Sequence, residues 1–159
     1  MRPAEEIRYL ILAAQREGNR QLAQQLRPLG ITPAQAEVIR LLADRQPLSL
    51  GELGELLVCE SGSNPSRLID RLVGTGLVHR TEAAADRRRV ELTLTSDGEQ
   101  VATHVADVEE RLYAHIDTVA AAQDADAVLG FLRVLVAGQP SGQALARRGA
   151  AATPASSRG

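Results

Sequence analysis

Apolar residues recur every three or four positions over most of this chain and every second position over one short stretch. Ile7, Leu10, Ile11 and Ala14 set the helical period, and Leu22, Leu26 and Leu29 extend it. A long first helix is therefore predicted, ending near Pro28-Leu29-Gly30. Thr32-Pro33-Ala34-Gln35 has capping-box spacing with proline at the first helical position, so a second helix should run to about Asp44 with Ala36, Ile39, Leu42 and Ala43 inward. Ser49-Leu50-Gly51-Glu52 repeats the capping-box spacing and opens a short helix through about Val58. The polar turn Glu60-Ser61-Gly62-Ser63 leads to Asn64-Pro65, where either Ser63 or Asn64 can cap the next helix and the proline favours Asn64. In that helix Leu68, Ile69 and Leu72 fall on one side and Ser66, Arg67, Asp70 and Arg71 on the other, until Gly74-Thr75-Gly76 stops it.

After Gly76 the period changes. Leu77-Val78-His79-Arg80-Thr81 and Val90-Glu91-Leu92-Thr93-Leu94-Thr95 are rich in β-formers, and the second alternates strictly. Between them lies Glu82-Ala83-Ala84-Ala85-Asp86-Arg87-Arg88-Arg89, so a hairpin with a basic tip should project from a helical body. Ser96-Asp97-Gly98-Glu99 offers a third capping box, and Val101, Val105, Val108, Leu112 and Ile116 trace the stripe of a long helix behind it. A last helix is predicted over about 124–137, carrying Val128, Leu132, Leu135 and Val136. Residues 138–159 are mostly Gly, Ala, Ser, Pro and Arg without clear periodicity, which reads as a flexible tail.

Composition narrows the function classes. A length of 159 residues suits one domain with a short tail, and 44% hydrophobic residues suffice for a core. Aromatics are only 2% (Tyr9, Tyr113 and Phe131), which argues against a platform that stacks single-stranded bases. The lone Cys59 excludes an internal disulfide and a cysteine-rich zinc site, and reads as a small buried residue rather than a redox sensor. No apolar run approaches the ~18 residues of a membrane span. Charges spread from Arg2 to Arg27 do not fit a secretory leader, so a cytoplasmic location is expected. All 18 basic residues are arginine, the codon bias of a GC-rich genome.

The net charge of −2 conceals an uneven distribution. Residues 61–90 carry six arginines against three acids, whereas residues 91–159 carry five against nine. A basic island on an acidic body is what phosphate contact requires, although a solvated charged face has the same composition. Position favours the first reading. The helices at 50–58 and 64–74, joined by a small polar turn, form a helix-turn-helix whose second member can enter the major groove. Arg67 and Arg71 can pair with guanine edges or grip phosphates, and Ser66 can do either more weakly. The hairpin tip is long enough to reach an adjacent minor groove, with Asp86 bracing one of its arginines. The competing structural reading is a plain helical hairpin with solvated charges.

Other chemistry finds no footing. His104 and His115 share a helical face but sit ~16 Å apart along the axis and cannot hold one metal within a chain. His104 with Asp107 could meet one, yet these and His79 read as surface residues, so neither metal nor cofactor is expected. Gly74-Thr75-Gly76 follows a helix rather than a strand and is no dinucleotide fingerprint, and Asn64-Pro65-Ser66 is no glycosylation acceptor because proline fills its middle. Neither a nucleophile elbow, an HExxH pair nor a phosphate loop occurs, so no enzyme is expected.

Leu29-Gly30-Ile31-Thr32-Pro33-Ala34-Gln35, Ser66-Arg67-Leu68-Ile69-Asp70-Arg71-Leu72, Gly76-Leu77-Val78 and the run from Asp86 to Thr95 with Gly98 come in a distinctive order. In that order the chain resembles the MarR family of winged-helix transcription factors from about residue 5 to 137. The resemblance implies a mainly α (α+β) fold: a dimerisation helix over 1–30, a winged helix-turn-helix over 31–95, dimerisation helices over 96–137 and a tail over 138–159. It implies DNA contact by Ser63, Asn64, Ser66, Arg67 and Arg71, a minor-groove role for Arg88 with Asp86 as its brace, and phosphate contact by Arg87 and Arg89. It further implies a homodimer on double-stranded DNA with half-sites roughly 10 base pairs apart or a multiple of that. Most such proteins are repressors released by a small ligand. The alternative is a winged-helix module that binds protein instead of specific DNA.

Overall fold

The computed structural model of the chain describes residues 1–58, 65–83 and 89–150. In chain order they form α1 (Pro3–Leu26), a 3-10 turn (Arg27–Leu29), α2 (Pro33–Arg45), β1 (Leu48–Ser49), α3 (Leu50–Leu56), α4 (Pro65–Gly74), β2 (Val78–Glu82) and β3 (Val90–Leu94). The chain then continues through α5 (Ser96–Ala120), α6 (Ala125–Val136) and α7 (Pro140–Ala150). The architecture is the mainly helical winged helix-turn-helix that the pattern predicts, with one antiparallel sheet in the order β1-β3-β2.

Local chemistry explains the boundaries. Thr32 with Gln35 and Ser49 with Glu52 both close as reciprocal capping boxes, satisfying amide donors that the first helical turn leaves unpaired. The third box forms differently. Thr95, not Ser96, caps α5, accepting from the Gly98 amide at 2.9 Å. Its hydroxyl also donates to the Gly76 carbonyl at 2.7 Å and its amide to the Leu77 carbonyl at 3.1 Å, so the strand end is already pinned at residue 95. β1 has only two residues, too short to show a period. It pairs with β3 through Leu48 opposite Leu92.

The core gathers one side of α1, α3, α4, α5 and the sheet around α2. Leu26, Ile39, Leu42, Leu53, Ile69, Leu72, Leu92 and Val105 are completely buried, each contributing roughly 1.5–3 kcal/mol of transfer free energy. Ala43, expected inward, is exposed, whereas Val38 and Leu41 are buried. Packing of α2 by α1, α4, α5 and the sheet makes its buried surface wider than a single stripe, which takes in Val38 and Leu41. Ala43 instead falls in the last turn of the helix beside exposed Asp44.

The expected tail also differs. Residues 140–150 are helical, and only 151–159 lie outside the described residues. Small residues at the start of this segment let α7 approach α6 closely: a Cβ on Gly142 would run into the Val136 carbonyl. Ala144 is buried, and Arg147 and Arg148 reach Glu55 and Glu37. Composition suggested low complexity where packing uses small side chains and two specific ion pairs. Among the described residues no helix is long and apolar enough to cross a membrane.

Candidate nucleic-acid interface

The helix-turn-helix assembles from α3 and α4. Pro65 opens α4, and its apolar side is sealed by Leu68, Ile69 and Leu72. Its opposite side presents Arg67, Asp70 and Arg71 to solvent, with Ser66 half-buried. The helix ends in a Schellman motif: the Gly76 amide donates to Val73 at 3.0 Å and the Leu77 amide to Leu72 at 2.9 Å. Gly76 takes φ 74°, a left-handed conformation that a side chain would strain. A Cβ on Gly98 would strike the Leu77 carbonyl, so this glycine permits the close approach of α5 to the exit of α4. Both glycines fix the angle at which the hairpin leaves α4.

The hairpin pairs in register from Val78 opposite Leu94 to Glu82 opposite Val90. The Ala83 amide donates to the Arg89 carbonyl at 2.7 Å and extends the pairing one step beyond Glu82 and Val90, at the end away from the body. Two ion pairs tie hairpin to helices. Arg80 on β2 meets Asp70 of α4 at 3.0 Å, and Arg89 meets Glu52 of α3 at 2.8 Å. Both pairs are exposed, so each adds only about 0–1 kcal/mol to stability, and their consequence is positional.

These bonds sort the arginines. Asp70, the acid on the outer face of α4, is matched by Arg80. Among the described residues nothing engages the guanidinium groups of Arg67 and Arg71, which lie one helical turn apart. The outward face of α4 thus carries two uncommitted cations and one neutralised acid. Arg89, expected to touch phosphate, is bonded to Glu52. The hydroxyl of Ser49, its amide and then Arg89 hold the Glu52 carboxyl down to about 2, well below the usual carboxylate value. Ser63, Asn64, Asp86, Arg87 and Arg88, and also Cys59, lie outside the described residues.

Arg80 was not among the residues expected at this surface. Its partner is ten positions away on a different element, a proximity that no sequence period reports. Its one visible signal was membership of the basic island at 61–90. His79, His104 and His115 are exposed, and His104 Nδ1 lies 2.8 Å from the carbonyl of Gln100. Among the described residues no three His, Cys, Asp or Glu side chains gather as a metal site would require.

Comparison with known proteins agrees with this geometry. A family model described as MarR family matches residues 29–89, the span from the turn before α2 to just before β3. The HTH-type transcriptional regulator FarR of Neisseria gonorrhoeae is 33% identical over 102 residues, 62% of this chain and 69% of that protein. The transcriptional repressor CouR, solved on a 23-mer DNA duplex, superposes with a TM-score of 0.70 at 25% identity, covering 84% of this chain and 94% of that one. A mutant MarR from E. coli complexed with operator DNA gives a TM-score of 0.67 at 27% identity, covering 86% and 99%.

Proposed function

The chain belongs to the MarR family of transcriptional regulators, and from that premise we propose that it acts as a cytoplasmic homodimeric repressor occluding a pseudopalindromic promoter site. The observation that carries the DNA-contact part is the outer face of α4, where Arg67 and Arg71 are uncommitted while Asp70 is cancelled by Arg80. In this reading α4 lies in the major groove with Ser63, Asn64, Ser66, Arg67 and Arg71 toward bases and backbone. Arg88 enters the minor groove braced by Asp86, Arg87 takes a phosphate, and Arg89 reaches one with the N–H groups left over from Glu52.

Dimerisation is supported by the chain ends, where Leu10, Ile116, Phe131 and Val134 are between 47% and 78% exposed in the single chain. Two copies joined there would place two α4 helices on successive turns of one face of the duplex. Release by a small ligand completes the reading as the family resemblance implies it.

The test is an anisotropy titration against the DNA upstream of the protein's own gene, with random duplex as control, at several salt concentrations. Specific binding tighter than control by roughly a thousandfold, and weakening steeply with salt, is expected. Arg67→Ala should cost about 1–3 kcal/mol, with a loss that depends on sequence; a uniform loss would make Arg67 a phosphate contact. Arg88→Ala should weaken binding strongly and leave dimer and melting unchanged. Should selection from random DNA also yield no preferred site, a protein-binding winged helix becomes the better account.

A further inference from the structure

We propose that α7 is a clamp on the helix-turn-helix, with Arg148 positioning the C-terminal end of α3, which packs against α4, through the buried carboxylate of Glu37. The proposal rests on the DNA-binding reading above and concerns what holds the reading head in place.

Glu37 lies on α2 and is 9% exposed. Its Oε1 accepts the Val58 amide at 2.8 Å and also bonds the guanidinium of Arg148. Val58 directly follows the capping residue of α3 and begins the connection toward Pro65 of α4. The same guanidinium donates through Nε to the Leu56 carbonyl at 2.8 Å. Arg147 donates to the Glu55 carbonyl at 3.4 Å, and its Nε lies 3.9 Å from the Glu55 carboxylate. The last carbonyls of α3 have no partner within their own helix, so two arginines of a distant helix act as their cap. In return Arg45 of α2 donates to the Arg148 carbonyl at 2.6 Å.

The arrangement concentrates on one point of the chain. A part-buried Arg–Glu pair repays its desolvation only when its remaining donors and acceptors are satisfied, and here they are spent on the backbone at residues 56 and 58. Taking Arg148 away leaves Glu37 buried with less compensation, which favours loosening of the exit of α3 at Leu57 and Val58. At its other end α7 meets α6 through Gly142 and Val136. α7 therefore contacts α6 at one end and the exit of α3 at the other, within one chain.

The experiment uses the full-length protein and three variants: Arg148→Gln, Arg148→Lys and Gly142→Ala, the last unseating α7 without touching a charge. Two readouts are taken, amide hydrogen exchange at Leu57 and Val58, and affinity for both the tightest-binding duplex and random duplex. In Arg148→Gln the Val58 amide should exchange about tenfold faster. Affinity for the preferred site should fall about tenfold. Random-duplex affinity should stay unchanged, because Arg67 and Arg71 keep their charges. Gly142→Ala should reproduce both shifts, and Arg148→Lys should recover part of each, since lysine keeps the charge but not the fork. Unchanged exchange in Arg148→Gln overturns the clamp. Faster exchange with an unchanged ratio of specific to random binding overturns its positioning role. A wild-type protein that prefers no DNA refutes the function proposed above, while exchange at Val58 still decides whether the clamp exists.

Discussion

The central body and the two ends of this chain use the same apolar residues to different result. In the body Ile39, Ile69, Leu72 and Leu92 are fully buried. At the ends Leu10, Ile116, Phe131 and Val134 remain open to solvent although their helical spacing is as regular. α5 passes from one regime to the other: Ala102, Val105 and Val108 are buried, Leu112 is half-buried, and Ile116 and Val119 are exposed. A period therefore reports that a face will be covered, without reporting by which chain. The body completes its core alone, whereas the ends leave apolar stripes uncovered in the single chain, which is the physical case for the proposed dimer.

The strongest way to break this contrast is a charge in each stripe, Ile116→Arg with Leu132→Arg. If the ends are half an interface, two arginines buried there without partners cost several kcal/mol each, and sedimentation should show the mass halved. Circular dichroism should show the body's helices retained. An unchanged mass would mean these faces lie outside the interface, and a wild-type monomer would remove the contrast altogether.

A pair of leucines sharpens it further. Leu72→Ala opens a cavity in a completed core and should cost about 2–5 kcal/mol at any protein concentration. Leu10→Ala should be nearly silent in dilute, monomeric protein and destabilising where dimers form. Denaturant midpoints measured over a hundredfold concentration range separate the two. Equal shifts at all concentrations would place Leu10 in contacts within its own chain.

What could be read in advance divides along similar lines. Thr32, Ser49 and Gly76 act on neighbours within five residues, so their spacing announces the boundaries that form. Leu68, Ile69 and Leu72 show their inward side because one helix face met one core. Val38 and Leu41 escaped a single-stripe reading because α2 is covered on several faces, and Ala43 misled because it lies in the last turn, beside exposed Asp44. Arg80 with Asp70, Arg89 with Glu52 and Arg148 with Glu37 join positions 10, 37 and 111 residues apart, and only the fold brings them together. For α7 the obstacle was composition, since glycine and alanine that permit close packing look like those of an unstructured segment.

The smallest effect tests whether the body's charged groups are as self-contained as its core. Glu52 accepts from Ser49 within the α3 cap and pairs with Arg89 at the far end of the hairpin, which holds its carboxyl at about 2 against an ordinary 4.5. A carboxyl lowered in the folded state favours folding above its unfolded value, and that contribution drains away as pH falls from about 4.5 through about 2. Because Glu52 is exposed, solvent screening limits the gain to roughly 1 kcal/mol or less. Glu52→Gln keeps a side-chain acceptor for the capping box while removing the charge, so it isolates the ionic part. The difference in unfolding free energy between wild type and this variant should be greatest near neutral pH and vanish toward pH 2. The same substitution releases Arg89, so affinity for random duplex should rise slightly and the salt dependence steepen by about one counterion. An unchanged salt dependence would mean that Arg89 is not held by Glu52 in solution and is already available to phosphate, whereas a stability difference independent of pH would mean that neither Ser49 nor Arg89 lowers the Glu52 carboxyl.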